Sequence, residues 1–209
     1  EPYLGIVLGY ANTSLHNAQT RIVLKDAPKV TGKVGASFFG AGNYATASLL
    51  PPLKSLDVDF RGLSTASGRS AQGVAKQFGF AFCTEKLSDL LDANTDAVFI
   101  TTRHDTHAQA VIDIFNAGKH VYVEKPLALN VEDLSRINTA WNNAGTAQLM
   151  VGFNRRFAPL TTEVRNHFAS VKSPLIINIR VNAGSIPADH WIQDARQGGG
   201  RIIGEGCHF

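Results

Sequence analysis

Short apolar runs alternate with longer amphipathic stretches over most of the chain. The short runs are rich in Val, Ile and Phe and are bounded by turn residues, as is typical of buried parallel strands. They lie at 34–39, 60–64, 97–100, 120–123 and 149–153. Between them, apolar residues recur at helical spacing. These predicted helices lie at 45–56, 70–78, 87–91, 107–116 and 131–143. Asn130 is a suitable N-cap for the last helix, and Gly118 a suitable C-cap for the helix before it.

This alternation predicts βαβ units, and hence an α/β fold with a Rossmann-type, doubly wound parallel sheet over residues 33–153. Residues 1–32 carry strand-like runs at 3–8 and 21–24 in a polar setting, and we expect a leader or linker there. After residue 153, only a helix at 160–168 and an alternating strand at 175–181 are predicted. Since one helix and one strand cannot form an independent unit, residues 154–209 predict the start of an incomplete α+β domain. Residues 187–209 then have nothing to pack on, and we expect them to be mobile or held by a partner chain.

Composition narrows the class of protein. With 44% apolar and 18% charged residues, the chain is globular. No apolar run approaches the roughly 20 residues that span a bilayer, and no signal peptide is evident, so we expect a cytoplasmic protein without a membrane partner. The net charge is +3, but Lys and Arg are scattered, which argues against nucleic acid. Cys83 and Cys207 lack the spacing of a zinc site, and no metal is expected. The sequence does not decide whether the chain forms a homo-oligomer.

A glycine-rich motif follows the first predicted parallel strand. Gly40, Gly42 and Ala45 form a GxGxxA run that opens a helix. The first glycine of such a run makes a tight turn, and the second lets the backbone approach a pyrophosphate at the helix N-terminus. A purely structural strand-to-helix turn is the alternative. The position at the first βα junction favours dinucleotide binding by Gly40, Gly42, Asn43 and Tyr44.

In such motifs, an acidic residue about 20 residues after the glycines usually binds the hydroxyls of the adenosine ribose, and this residue is missing here. Residues 62–70 contain no Asp or Glu and instead offer Thr65, Ser67 and Arg69. Hydroxyls and a guanidinium suit a 2′-phosphate, so we favour NADP over NAD. The alternative is that Arg69 is a solvated residue in the first turn of the next helix.

A second motif is the strand 117–126, which reads AGKHVYVEKP. Together with the segment VGFNRRF at 151–157, it resembles the glucose-fructose oxidoreductase and inositol dehydrogenase (Gfo/Idh/MocA) family, and the resemblance covers residues 33–209. The Lys125–Pro126 bond is a candidate cis peptide. Lys125 falls at the carboxyl end of a strand, where it would polarise a reacting oxygen, and Glu124 would hold its ammonium. The alternative is a surface Glu-Lys pair.

The resemblance also implies roles for residues outside that strand. Thr101, Thr102 and His107 would line the loop beside the nicotinamide, and Asn154 and Arg156 would contact substrate.

The glycine-rich tail resembles the family segment in which three glycines precede an Asp and, four residues later, a His. His208 falls on the position of that His, which acts as general acid and base in the family. The Asp position is occupied by Gly204, and Glu205 is one residue out of register. A capped or core histidine is the structural alternative for His208.

These features predict an NAD(P)-dependent oxidoreductase that transfers hydride between nicotinamide and a secondary alcohol or ketone of a sugar, sugar nucleotide or cyclitol. The alternative is a non-catalytic NAD(P)-binding sensor or assembly module, which Gly204 favours. Residues 1–8 resemble the closing strand of a zinc-type alcohol dehydrogenase domain, so an upstream domain of that type, as in surface-polysaccharide gene clusters, is expected. The 209-residue chain itself is expected to bind cofactor with little turnover.

Overall fold

A seven-stranded sheet forms the centre of the computed structural model, which describes residues 20–26, 31–66, 68–92 and 94–209, without the side chains of 68–70. The strands are β1 (Arg21–Val23), β2 (Val34–Phe39), β3 (Val58–Ser64), β4 (Phe82–Thr84), β5 (Ala97–Ile100), β6 (His120–Val123) and β7 (Leu149–Val151). Their order across the sheet is β1-β4-β3-β2-β5-β6-β7. β1 pairs antiparallel with β4, and all other neighbours pair in parallel.

Helices connect the parallel strands. The α-helices are α1 (Leu50–Lys54), α2 (Gly68–Phe78), α3 (His107–Asn116), α4 (Val131–Asn143), α5 (Pro159–His167) and α6 (Gly200–Glu205). A π-helical segment, Ala45–Leu49, precedes α1, and the Leu50 N–H donates to the Ala45 carbonyl. Pro51 and Pro52 follow directly and have no N–H to continue the regular ladder, which explains why the predicted helix 45–56 is divided here. The caps predicted at Asn130 and Gly118 are confirmed: Asn130 Oδ1 accepts from the Asp133 N–H, and Gly118 has a φ of 68°.

Two apolar cores flank the sheet. One includes Phe38, Leu50, Leu63 and Phe80 and joins β2 and β3 to α1 and α2. The other joins β5 and β6 to α3 and α4. From β2 the strand order runs outward in both directions, so right-handed crossovers place the helices of the two halves on opposite faces. The predicted Rossmann-type α/β fold is therefore confirmed.

Several predicted elements differ in detail from the structure. The run at 21–24, expected in a leader, forms edge strand β1 of the sheet, and its partner β4 was not predicted. Both strands are only three residues long, too short to give a periodic signal. The predicted helix 87–91 is a 3₁₀ turn, Leu87–Leu90, and the strand predicted to residue 153 ends at Val151. The predicted run at 3–8 lies outside the described residues.

The strand predicted at 175–181 is not formed. This segment belongs to no strand, and Ile176 and Ile177 are 94% and 73% exposed. Alternating apolar residues become a strand only where a neighbouring strand offers its backbone groups, and none does so in the described part of the chain. Among the described residues, no helix is long and apolar enough to cross a membrane.

The expectation that residues 187–209 have nothing to pack on is wrong. The Gly198 carbonyl lies 2.9 Å from Nδ1 of His104, which precedes α3. Ile192 and Gly204 are buried, and the His104 ring meets Trp191 edge to face with centroids 4.9 Å apart. The tail therefore packs against the carboxyl edge of the sheet.

Candidate active site

The glycine turn lies where the sheet order reverses, between β2 and β5. Gly40 has a φ of 107°, a conformation that side chains rarely adopt, and a Cβ there would lie 2.7 Å from the Thr101 carbonyl. A Cβ on Gly42, in contrast, would have no atom within 4 Å. Gly40 thus closes the turn against β5, whereas the outer side of Gly42 stays open to a ligand. Crevices at such reversals are where open α/β sheets bind dinucleotides.

The residues around this turn fit a dinucleotide. Thr101 Oγ1 is buried and has no hydrogen-bond partner among the described residues, so it is available to a bound group. Thr65 directly follows β3, at the position expected for the adenosine ribose, and its N–H donates to the Thr84 carbonyl. Ser67 lies outside the described residues, and only the backbone of Arg69, in α2, is described. Both therefore stay predictions.

Lys125 lies at the carboxyl end of β6, and the Lys125–Pro126 peptide is cis, as expected. Lys125 Nζ donates to the Gly204 carbonyl oxygen at 2.9 Å. A Cβ on Gly204 would lie 3.1 Å from His104 Cε1 and 3.2 Å from Ile192 Cδ1. The position at which the family resemblance implies a carboxylate is therefore filled by packing, and a backbone carbonyl holds the lysine.

The expectation that Glu124 holds the Lys125 ammonium is wrong. Adjacent residues of an extended chain project to opposite sides, and the structure places no ion pair between these two within the described residues. Glu124 Oε1 instead accepts from the Tyr122 hydroxyl at 2.6 Å. Burial raises the pKa of Glu124, and burial together with Glu124 raises the pKa of Tyr122. Gly152 packs directly against both side chains, since a Cβ there would lie 2.6 Å from Glu124 Oε1 and 2.7 Å from the Tyr122 hydroxyl oxygen.

Lys125 is hydrogen-bonded to Gly204, four residues before His208, and its charge acts on the His208 imidazole. Partial burial lowers the pKa of His208, and the positive charges of Lys125 and Arg155 lower it further, whereas the negative charge of Glu205 acts in the opposite direction. The Nδ1 of His208 is buried and has no partner among the described residues. Glu205 pairs with Arg201 at 3.3 Å. The imidazole is therefore positioned without an orienting carboxylate.

His107 is fully buried, and its ring lies next to the loop after β5 and the loop after β6. Its Nδ1 lies 2.8 Å from the Pro126 carbonyl oxygen, and its Nε2 lies 3.2 Å from that of Thr102. Burial lowers the pKa of His107, and the neutral imidazole donates its single N–H to one of these carbonyls. The His107 ring thus lies between the loops after β5 and β6 and bonds to one of them, and its role beside the nicotinamide stays a prediction. The Thr102 and Thr106 hydroxyls bond to each other in the first of these loops.

Asn154 and Arg156, both predicted to contact substrate, occupy different environments. Asn154 Nδ2 donates to the Tyr44 hydroxyl at 2.8 Å, which connects the glycine turn to the 3₁₀ turn Asn154–Phe157. The Arg156 guanidinium lies 5.5 Å from the centroid of its neighbour Phe157. Arg155, not Arg156, is the arginine whose charge acts on His208.

Sequence reasoning missed three residues of this site. Arg155 is the neighbour of Arg156 in the motif NRRF, and Tyr122 lies two residues before Glu124, on the same face of an extended chain. The sequence near the motifs could therefore have indicated both residues. His104 had only its spacing from His107, because its partners Gly198 and Trp191 are about ninety residues away along the chain. Burial lowers the pKa of His104.

The fold and the glycine turn are of the kind that binds dinucleotides, and comparison gives the family of the chain. The model described as "Oxidoreductase family, NAD-binding Rossmann fold" (GFO_IDH_MocA) matches residues 34–153, more than half of the chain. The chain belongs to this family.

Two curated relatives and one solved structure illustrate the similarity. The chain is 30% identical to the uncharacterized oxidoreductase YrbE of Bacillus subtilis over 145 residues, which cover 69% of the chain and 39% of YrbE. It is 32% identical to inositol 2-dehydrogenase 2 of Saccharopolyspora erythraea over 124 residues, covering 58% and 37%. It shares its fold with KijD10, a 3-ketoreductase from Actinomadura kijaniata in complex with NADP and TDP-benzene, with a TM-score of 0.69 and 23% identity over 83% of the chain and 54% of KijD10. The chain thus spans well under two thirds of each relative.

Proposed function

We propose that the site transfers hydride between a nicotinamide and a secondary alcohol or ketone of a sugar, sugar nucleotide or cyclitol. The observation that carries this proposal is the bond from Lys125 to Gly204, which ties the lysine at the carboxyl edge of the sheet to the segment that contains His208. The glycine turn that opens toward a ligand lies at the same edge. A lysine and a histidine at this edge supply, respectively, a charged hydrogen-bond donor and a proton carrier.

A bound NAD(P) supplies or accepts the hydride, and the chain supplies everything else. In the direction of alcohol oxidation, Lys125 Nζ donates a hydrogen bond to the substrate oxygen and stabilises the negative charge that develops there. His208 accepts the hydroxyl proton as the C–H hydride leaves and the C=O bond forms. The lowered pKa of His208 keeps the imidazole neutral and ready to accept this proton near neutral pH.

The proposed cofactor is NADP in preference to NAD. No carboxylate occurs from Gly62 to Ala71 to repel a 2′-phosphate, and Thr65, Ser67 and Arg69 offer donors to it. KijD10, which shares the fold, is described in complex with NADP. The names of the relatives support a sugar-like substrate: one is an inositol 2-dehydrogenase and the other a 3-ketoreductase.

A second candidate is a module that binds NAD(P) without turnover, as a sensor or in an assembly. Gly204 favours it, because His208 then lacks a carboxylate at the position that the family resemblance implies. The two candidates differ in one measurable property, since both bind dinucleotide and only the first reduces it.

Substitution of the lysine separates them. In the full-length protein, NADP⁺ reduction is measured on a panel of sugars, sugar nucleotides and cyclitols. We expect Lys125→Met to lose turnover by roughly 100-fold or more while its affinity for NADPH stays within about twofold of wild type. Lys119→Met, which changes a lysine just before the opposite end of β6, is the matched control and keeps wild-type turnover. Undiminished turnover in Lys125→Met contradicts the proposal, and NADPH binding without any turnover by wild type supports the second candidate.

A further inference from the structure

Two positively charged side chains, Arg155 and Lys125, act on His208. Arg155 lies on the 3₁₀ turn Asn154–Phe157, which packs against the turn Gly206–His208. The guanidinium carbon of Arg155 lies 4.5 Å from the centroid of the Phe209 ring. The imidazole of His208, the preceding residue, has its centroid 6.4 Å from that of Phe209. Lys125 approaches α6, the helix just before the turn Gly206–His208, through its bond to Gly204. The charges of Arg155 and Lys125 both act on the imidazole of His208.

Two carboxylates act on this cluster, Glu205 on His208 and Glu124 beside Lys125, and each of them also has another partner. Glu205 pairs with Arg201, and Glu124 accepts from the Tyr122 hydroxyl. Within the ranges that the structure describes, neither Arg155 nor Lys125 has a carboxylate within ion-pair distance. The exposed guanidinium of Arg155 rests on an aromatic face, and its five N–H donors are left for a ligand or for water.

Gly204 removes one more negative charge from this place. A side chain at this position would start towards His104 and Ile192, and glycine places no charge there. With glycine, Lys125 is held by a neutral carbonyl, and the charge of the site stays positive. A site that selects an anionic ligand gains from the absence of a repelling group as well as from the presence of an attracting one.

There is also room for a ligand beside these residues. Gly206 and Phe209 line a cavity of about 330 Å³ together with Asn182, Arg201 and Glu205, and Glu205 is the carboxylate that pairs with Arg201. This volume lies at the lower end of the range for small-molecule sites, which suits a single sugar ring. The half-exposed Phe209 ring offers an apolar surface between the cavity and the Arg155 guanidinium.

We infer that the substrate is an anionic sugar derivative whose carboxylate or phosphate group is bound by Arg155, next to the Lys125 and His208 pair. The planar fork of a guanidinium matches the two oxygens of either group. This inference rests on the proposed function and narrows it, because it excludes neutral sugars and cyclitols as the preferred substrates.

The test compares three sugars of one skeleton on the NADPH complex of the full-length protein: D-glucose, D-glucuronate and D-glucose 6-phosphate. Affinities are measured by calorimetry at low ionic strength, since salt screens an exposed arginine. We expect at least one anionic sugar to bind roughly 10- to 100-fold more tightly than glucose, the range for a charge-assisted hydrogen bond. Tighter binding of glucuronate identifies a carboxylate, and tighter binding of glucose 6-phosphate identifies a phosphate.

Arg155→Gln is expected to abolish this preference and to leave the NADPH affinity unchanged. Arg165→Gln, in the exposed helix α5, is the matched control and keeps the preference. The inference is overturned if wild type binds the three sugars equally or binds none of them while NADPH is bound, or if both variants behave alike. A failure of wild type to bind NADPH overturns the proposed function and this inference together.

Discussion

At the scale of single residues, the local motifs predicted which side chains carry chemistry but not what holds them. Lys125 and His208 were proposed from short sequence patterns, and the structure bonds Lys125 to Gly204, four residues before His208. The partners that define their surroundings, His104, Ile192 and Arg155, come from segments far apart in the chain. No pattern within a short window contains that information, so the replacement of a carboxylate by packing at Gly204 could not be predicted.

Gly204 gives a direct test of this packing. A methyl group there meets His104, which is fixed by the Gly198 carbonyl and by Trp191, so it has little freedom to move. We expect Gly204→Ala to lower the free energy of unfolding by about 1 to 3 kcal/mol, as overpacked sites do. Urea unfolding monitored by fluorescence measures it.

Gly206→Ala is the control for Gly204→Ala, because its methyl group would meet only Ile202, at 3.9 Å. We expect Gly206→Ala to be neutral, or more stable than wild type by up to about 1 kcal/mol, since alanine restricts the unfolded chain. If the two variants have the same free energy of unfolding, His104 and Ile192 do not pack on Gly204 in solution.

At the scale of elements, long segments with a clear period were predicted well and short or dependent ones were not. α3 and α4 begin and end as expected, because their apolar faces and their caps agree. β1 and β4 are too short to show a period, and the π-helical turn before α1 depends on how the chain accommodates two prolines. Residues 175–181 have the right alternation but no neighbouring strand in the described part of the chain.

Hydrogen exchange tests the state of residues 175–181. Amides with no backbone acceptor exchange without any opening of structure, whereas those in the middle of a sheet need a large opening. In the 209-residue chain, we expect the amides of Ile176, Ile177 and Ile179 to exchange almost as fast as in an unfolded peptide. In a formed sheet, the same amides would exchange several orders of magnitude more slowly. Phe38 and Val98, in the central strands, serve as the protected reference. Protection of residues 175–181 comparable to that reference would contradict the structure.

At the scale of the whole molecule, the order of the sheet followed from the sequence because each βα unit repeats the same pattern. A parallel strand order that reverses at β2 places the carboxyl ends of β2 and β5 side by side, and the glycine turn and Thr101 meet there. The docking of residues 187–209 on this edge was not predicted. It depends on a few contacts, of His104 with Gly198 and of Lys125 with Gly204, that leave no periodic trace in the sequence.

Dinucleotide binding at the glycine turn is the claim on which all the others depend, and a titration of NADPH fluorescence tests it most directly. Gly42→Val puts a branched side chain into the open space that a pyrophosphate would enter. We predict that this variant loses NADPH affinity by at least about tenfold, whereas Gly73→Val, whose side chain also points into open space but from α2, keeps it. Equal NADPH affinity of wild type and Gly42→Val would contradict dinucleotide binding at this turn.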